Sequence, residues 1–434
     1  MKKQANVGII GYGIVGRGSA ETLVANKETI RKKTGLEINL AAVADLSINT
    51  RTDDALLEKI PLKTTDANEL INNPDIDIIV ELIGGYTHAK TFMLAAINAG
   101  KHVVTANKAL LAVHGKEIFS AVKTKGVEIG FEASVGGGIP IINVMKEDLA
   151  ANNVLEIDAI INGTANYILS RMTKEGKAYE EILKDAQKLG YAEADPTFDV
   201  EGIDTAHKIT LLSSIAFGSW VEFDKVYTEG ITRISTVDID FAGELDRTIK
   251  LLAIAKKHAD SIEVRVHPTM VPNDNLLASV HDAFNAVCVT SDMADVTMHY
   301  GRGAGGRPTS SAVVADIINI ARDIAAGSTH RVPALGFVEM QSVPVKAISE
   351  ISSAFYLRLD VIDTPGVLSK VAGILAKNNI SIRSALQRPT EDSKNVPLVF
   401  LTNEILGGQL DKAVAEINKL DEVLEDVVII RIMQ

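Results

Sequence analysis

The stretch Val7-Gly8-Ile9-Ile10-Gly11-Tyr12-Gly13-Ile14-Val15-Gly16 restricts this chain more than any other part of it. The short apolar run reads as a buried strand and the glycines as a turn. The residues from there to about Lys33 read as an amphipathic helix stopped by Gly35. Strand, Gly-x-Gly-x-x-Gly and helix in direct succession is the context in which this motif carries meaning. Gly11 admits a tight turn, Gly13 lets backbone approach a pyrophosphate, and Gly16 lets the helix pack on the strand. The first N–H groups of the helix and its partial positive charge then face the phosphates. A glycine turn with no ligand is the plain alternative. The flanking elements favour a dinucleotide cradle formed by Gly11, Tyr12, Gly13, Ile14, Val15 and Gly16.

The alternation continues downstream. Glu37 to Ala44 reads as a strand ending at Asp45, and Ile76 to Leu82 as another ending at Gly84 and Gly85. Helix Ala89 to Asn98 stops at Gly100, and His102 to Thr105 is the next strand. The expected fold class is α/β: a Rossmann-like, doubly wound parallel sheet. Ligands of such sheets sit at the carboxyl ends of the strands, which directs Asp45, Gly84, Gly85, Thr105, Asn107 and Lys108 to one crevice. Asp45 is placed to accept from a ribose 2′-hydroxyl and so to favour NAD. It lies 29 residues past Gly16, further than the usual ~20. Arg51 is close enough to take a 2′-phosphate instead, so NADP stays open. Lys108 opens a helix, where the dipole disfavours a cation unless an anionic ligand is present.

A length of 434 residues exceeds what one core serves, and about three domains are expected. The divisions read as 1–135 for the dinucleotide domain, 136–330 for a catalytic domain, a connector over 331–350, and 351–434. A net charge of −12 argues against a nucleic-acid surface, which requires clustered Lys and Arg. A single cysteine excludes an intramolecular disulfide framework and fits a reducing compartment. Lys2 and Lys3 before an apolar run imitate a signal peptide, but glycines interrupt the run and no cleavage site follows. No apolar stretch reaches the ~18 residues of a membrane span. The expectation is a soluble cytoplasmic protein without a membrane partner.

The chemistry concentrates between Gly190 and Lys208. Glu193, Asp195, Asp199, Asp204 and Lys208 crowd together there in a chain that is 46% apolar. A helix is expected from about Asp199 to Phe217, with Ile203, Ile209, Leu211, Leu212 and Ile215 as its buried stripe. Asp204 and Lys208, four apart, share a face, with Asp199 one turn earlier on the same side. A solvated ion pair on a capped helix is the bland alternative. Upstream, Asn162-Gly163-Thr164-Ala165-Asn166-Tyr167 is a polar turn entering a helix. Glu132 to Pro140 contains Gly136-Gly137-Gly138, and one carboxylate beside exposed carbonyls suits a hard cation as well as it suits a plain hinge. Gly301 to Thr309 is a second glycine-rich loop that opens a helix. Hydride transfer leaves the protein to orient a substrate and manage one proton. Lys208 or Lys108 is the candidate donor for a carbonyl oxygen. An aldehyde-oxidising enzyme would need a cysteine nucleophile, and Cys288 lies in an apolar strand pattern. Glu193 and Asp199 suit a substrate ammonium or hydroxyl.

In the tail, Phe355 to Val361 alternates as a strand and Asp363-Thr-Pro365-Gly366 turns into helix Leu368 to Asn378. Ile380 to Arg383, helix Gln409 to Lys419 and strand Val427 to Ile432 complete a ferredoxin-like order.

Taken together and in order, Gly11 to Gly16, Thr105-Ala-Asn107-Lys108, Glu132 to Pro140, Gly163-Thr-Ala-Asn166-Tyr167 and Gly190 to Lys208 resemble homoserine dehydrogenases over residues 1 to about 330. Asp363 to Leu368 resembles the signature of ACT domains. The first resemblance implies NAD(P)H-dependent reduction of L-aspartate 4-semialdehyde to L-homoserine, on the way to threonine and methionine. It implies Lys208 as proton donor and acceptor, Lys108 as a second essential lysine, and Asp204 and Asp199 as supporting carboxylates. It further implies Glu193, Gly163, Thr164, Asn166 and Tyr167 at the substrate, and Gly303 near the nicotinamide. A sodium ion held by Glu132 and the carbonyls of Val135, Gly137 and Ile139 follows from the same resemblance. Arg302 stands where a proline is expected, and Asp45 where many members carry a basic residue. The second resemblance implies a homo-oligomer, dimer or tetramer, regulated by an amino-acid effector, with threonine the first candidate. The alternatives are a pure dimerisation module at the tail, or an amino-acid sensor built on an inactive scaffold.

Overall fold

The computed structural model describes residues 3–51, 53–387 and 395–434. Lys2, one of the two residues that imitate a signal peptide, lies outside the described residues. The chain forms two compact units, each assembled from three segments. The first comprises Met1–Ile157, His207–Phe223 and Asn285–Val343; the second comprises Asp158–Ala206, Asp224–Phe284 and Pro344–Gln434.

The first unit is built on strands β1 (Gln4–Ile10), β2 (Glu37–Ala44), β3 (Leu62–Thr64), β4 (Ile78–Glu81), β5 (His102–Thr105) and β6 (Ile129–Gly130). All pair in parallel, in the order β3-β2-β1-β4-β5-β6. Val7, Ile9, Ile78, Val80, Val103 and Val104 are fully enclosed, as strands covered by helices on both faces must be. The order reverses between β1 and β4, which is the point where doubly wound sheets bind ligands. The helix expected to run to Lys33 is two: Ile14–Ala25 and Lys27–Thr34, hinged at Asn26. Gly35 closes the second in the left-handed region (φ 71°), its N–H bonded to the Arg31 carbonyl.

Helix Gly306–Ala326 belongs to this same layer, although it lies some 300 residues along the chain. Its Val313, Ile317 and Ile320 join Ala20, Leu23 and Val7 in one core. The close packing of the two helices depends on Gly18, where a Cβ would stand 2.5 Å from Ser310 Oγ. Ser310 Oγ in turn donates to the Val15 carbonyl at 3.1 Å.

The remaining strands are β7 (Val154–Ile160), β8 (Tyr227–Thr228), β9 (Arg247–Lys257), β10 (Ile262–Pro272), β11 (Phe284–Ser291), β12 (Asp295–Arg302), β13 (Ser352–Ile362), β14 (Ile382–Gln387), β15 (Asn395–Thr402), β16 (Ile405–Leu406) and β17 (Val428–Ile432). In the second unit β9 and β10 form an antiparallel pair from Ile262↔Lys257 to Pro272↔Arg247. The sequence assigns no strand to Arg247–Lys257. Its Leu, Ala and Lys content carries no strand preference, and pairing along the whole of β10 decides its conformation. The tail runs strand, helix Val367–Lys377, two strands, helix Gly407–Ile417, strand, and its sheet order is β17-β13-β15-β14. Its separate core includes Phe355, Leu357, Val371, Leu375, Phe400 and Leu410. β17 also pairs in parallel with β10, through Thr269↔Arg431 and Met270↔Ile432.

Candidate active site

In the first unit the glycines do what their spacing requires. Gly11 has φ 98°, and a Cβ there would lie 2.7 Å from the Leu82 backbone. A Cβ on Gly16 would fall 1.9 Å from the Gly11 carbonyl oxygen, so only glycine lets the helix start this close to the strand. A Cβ on Gly13 would meet nothing within 4 Å, which leaves the backbone open to a ligand. Ile14 is 81% exposed and Leu46, just after Asp45, 90% exposed. Large apolar side chains left open at the ends of β1 and β2 suit a flat ring system. Leu46 was not legible as a site residue, since an isolated Leu after a strand carries no motif.

Asp45 is more engaged than a waiting ribose ligand. Its Oδ2 accepts the Tyr12 N–H at 2.7 Å, and its Oδ1 accepts the Ser47 N–H and hydroxyl at 2.8 and 2.6 Å. These bonds outweigh burial and hold its pKa below the usual carboxylate range. Arg51 Nε donates to Ser47 Oγ at 3.1 Å, and its guanidinium lies 5.5 Å from the Tyr12 ring centre. Tyr12 OH donates to Asp54 Oδ2 at 3.2 Å, and Arg17 Nε donates to the same oxygen at 2.8 Å.

The hub of the neighbouring strand ends is Glu81, which sequence reading missed. It is the last residue of β4 and fully enclosed. One oxygen accepts the N–H groups of Ile83 (2.9 Å) and Gly84 (3.2 Å), and the other accepts the Thr105 hydroxyl at 2.7 Å. Burial pushes its pKa up. Thr105 Oγ1 accepts the Asn107 N–H, Asn107 Nδ2 donates to the Gly85 carbonyl at 2.8 Å, and Asn107 Oδ1 caps the helix by accepting from Leu110 N. Gly84 and Gly85 both adopt positive φ (73° and 70°). One buried carboxylate thus fixes Gly84, Gly85, Thr105 and Asn107 together, with Lys108 opening helix Lys108–Lys125 beside them.

Glu132 is also enclosed. Its oxygens accept the N–H groups of Ile142 (2.8 Å) and Asn143 (2.7 Å). Burial pushes its pKa up to about 7. Asp316, which accepts the Glu132 N–H at 2.8 Å, is pushed up to about 8 by burial and by the Glu132 charge. The adjoining loop is packed without slack. A Cβ on Gly137 would lie 2.5 Å from the Gly303 carbonyl oxygen, and one on Gly303 would overlap Asn285 Oδ1 at 1.5 Å. The cavity beside Glu132 is about 40 Å³, room for a water or two and far too small for a dinucleotide. Among the described residues no three or more His, Cys, Asp and Glu side chains are placed to hold a metal ion. The expected set here is chiefly backbone: the Ile139 carbonyl accepts from Ile141 N, yet each carbonyl keeps a second lone pair.

Further along, β7 delivers the chain to Asn162, the cap of helix Gly163–Glu175. Asn162 Oδ1 accepts the Ala165 N–H at 2.7 Å, while its Nδ2 donates to Asp199 Oδ1 at 2.7 Å and to Asp204 Oδ2 at 2.9 Å. The single helix expected from Asp199 is instead a short turn, Thr197–Val200, and a main helix, Ile203–Phe217. Gly202 separates them at φ 79°, with Thr228 and Val266 methyls 3.2 Å from where a Cβ would be. Asp199 therefore reaches Asp204 across a break and through Asn162, rather than along one helix face. The main helix is also buried all round: Thr205, Thr210, Ser213 and Ser214 are as enclosed as Ile209 and Leu212. Asp204 and Lys208, four residues apart on it, are 7% and 8% exposed. Glu193 is exposed, in the segment that Gln187 Nε2 ties down through the Glu193 carbonyl.

Two residues expected at the substrate are engaged within the fold. Asn166 is enclosed; its Nδ2 donates to the carbonyls of Val280, Asp282 and Phe284. These bonds brace the 280–284 segment. Tyr167 is 5% exposed and packs on Tyr191 with ring centres 4.7 Å apart. Thr164 Oγ1 donates to the Tyr191 carbonyl at 2.7 Å, and Gly163 lets the helix start 3.0 Å from the Ala283 oxygen.

A parallel sheet of order 3-2-1-4-5-6 with a glycine cradle, in a chain that also carries a helix with a carboxylate and a lysine four residues apart, defines a nicotinamide-dependent oxidoreductase by class. Comparison with known proteins is narrower. Residues 140–318 match the homoserine dehydrogenase family, 11–132 its NAD-binding domain, and 355–422 the ACT domain. A homoserine dehydrogenase of Pseudomonas aeruginosa is 45% identical over 435 residues, covering 100% of this chain and 99% of that one. The crystal structure of a homoserine dehydrogenase from Thiobacillus denitrificans superposes with TM-score 0.94 at 44% identity, over 100% and 99% of the two chains. A hyperthermophilic archaeal homoserine dehydrogenase in complex with NADPH superposes with TM-score 0.63 at 26% identity, over 78% of this chain and all of that one. The chain belongs to the homoserine dehydrogenase family, and carries a C-terminal ACT domain.

Proposed function

We propose that this chain interconverts L-aspartate 4-semialdehyde and L-homoserine with a nicotinamide dinucleotide, in the synthesis of threonine and methionine. One observation carries the reading: the Asn162 amide draws Asp199 and Asp204 together at the start of the helix that bears Lys208 one turn on. The nicotinamide, when bound, supplies or accepts the hydride. Lys208 gives a proton to the aldehyde oxygen, and takes it from the hydroxyl in the reverse direction. Asp204, on the same helix face, keeps that ammonium oriented. Lys108 is the second lysine at the substrate, and Glu193 and Asp199 receive the substrate ammonium.

Gly11 to Gly16, Gly84, Gly85, Thr105, Asn107 and Gly303 hold the dinucleotide. The Asp45 carboxylate keeps an acceptor direction for a ribose hydroxyl, which favours NAD, whereas Arg51 is the group that would take a 2′-phosphate. A sodium ion suits Glu132 with the carbonyls of Val135, Gly137 and Ile139, an all-oxygen set around a buried carboxylate. The ACT domain takes an amino-acid effector, threonine first, in a cytoplasmic homo-oligomer of two or four subunits. The supporting fact for a non-membrane protein is that no helix among the described residues is long and apolar enough to cross a bilayer.

The test is the ultraviolet absorbance of reduced nicotinamide when purified protein meets homoserine with NAD or NADP, with and without threonine. Reduction of either cofactor is expected, the better cofactor decides between Asp45 and Arg51, and a threonine response assigns the tail. Folded protein with no reaction overturns the reading and leaves an amino-acid sensor on an inactive scaffold.

A further inference from the structure

The structure assigns Asn162 as the positioning residue for the acidic pair of the site, an inference that rests on the proton-transfer reading of Lys208. Asn162 is 4% exposed and spends its side chain on three bonds. The oxygen caps helix Gly163–Glu175 at Ala165 N, and the amide nitrogen divides its two hydrogens between Asp199 Oδ1 at 2.7 Å and Asp204 Oδ2 at 2.9 Å. The two carboxylates come from different helices, separated by the Gly202 break. Asp204 is enclosed and Asp199 half-buried, and brought together with nothing between them the two carboxylates repel. A neutral amide that donates to both is the one arrangement of this size that holds them close while adding no charge of its own. Asparagine alone supplies two donors and a capping acceptor in a side chain this short.

The chain geometry makes this a matter of function as well as folding. Asp204 is one turn before Lys208 on a helix buried on every side, so the carboxylate and the lysine share one face of it. Asn162 thereby sets the orientation of Asp204, and through it the position of the proton-transferring lysine. Its position at the end of β7 and the start of a helix ties the pair to two rigid elements at once.

The experiment compares Asn162→Asp and Asn162→Ser with the parent enzyme. Both variants keep an oxygen for the helix cap; the first removes the two donors and adds a third carboxylate, the second removes the donors without new charge. Expected in both is a kcat for homoserine oxidation lower by about ten- to a hundredfold, the scale of a lost hydrogen bond to a charged group, at a Tm close to the parent's. In Asn162→Asp the acid limb of the pH profile of kcat/KM moves to higher pH, because added negative charge favours protonated carboxylates. Parental kcat and an unmoved acid limb in Asn162→Asp would reduce Asn162 to a helix cap and overturn the assignment. If that variant does not fold, Asn162→Ser decides alone by the same kcat comparison. Lys208→Ala is run beside them: parental turnover there removes the reading on which this one rests, whichever way the Asn162 variants behave.

Discussion

Lys250 shows at a single residue how much of this protein is fixed by contacts distant in sequence. It is 1% exposed, and its ammonium donates to the Val280 carbonyl at 2.5 Å and to Asn166 Oδ1 at 3.4 Å. Burial pulls its pKa down to about 8, against ~10.4 in an unfolded chain. Between those values the unfolded state binds the extra proton, so stability rises with pH from about 8 to about 10; below that window the lysine is charged in both states and contributes no slope. Lys250→Met removes this rise. Thermal unfolding at about pH 7.5 and pH 9.5 should therefore find the variant losing ground against the parent at the higher pH, whereas a constant difference would show that the ammonium carries no desolvation cost. Asn166 was visible in a motif, but its partners are 84 to 118 residues away. No local pattern could distinguish a brace from a ligand. Glu81 and Asn162 escaped for the same reason: each is a single polar residue at a strand end, informative only once its partners are in place.

Elements were more legible than residues. Strands Glu37–Ala44 and His102–Thr105 coincide with the sequence expectation, because buried parallel strands are bounded apolar runs between clear stops. The helix after Asp199 was less so, since Gly202 sits within an otherwise continuous helical pattern and only its packing against Thr228 and Val266 shows why the chain breaks there. The glycine cradle is where local sequence and packing agree most closely. Gly16→Ala places a methyl 1.9 Å from the Gly11 carbonyl, which forces the helix away from β1. The expected result is a loss of roughly 1–3 kcal/mol in urea unfolding together with dinucleotide binding weakened at least tenfold in a fluorescence titration. Parental affinity in a folded variant would mean that the close approach at Gly16 is not what the cofactor requires.

At the scale of the whole molecule, the ACT domain's order of elements could be read from sequence, but its anchorage could not. Arg358 on β13 donates to Asp238 of helix Thr236–Glu244, Nε to Oδ1 at 2.8 Å, and Tyr356 OH donates to the same oxygen at 3.0 Å. Asp238 is fully enclosed and also caps its own helix through Ser235. Arg358→Met leaves that carboxylate buried without its counter-charge, and a loss of about 3–5 kcal/mol is expected. Denaturant midpoints measure it; a loss under about 1 kcal/mol would class the pair with exposed ion pairs. The interleaving of segments in the two units is likewise invisible to a reading that moves along the chain, because helix Gly306–Ala326 returns to the first sheet through contacts made long after it.

The central claim is that Lys208 moves the proton. The direct measurement is kcat for homoserine oxidation by Lys208→Ala, alongside cofactor affinity by titration. A loss of roughly 10²–10⁴ in kcat with cofactor affinity unchanged is the predicted result. Turnover near the parent's in that variant would contradict the account.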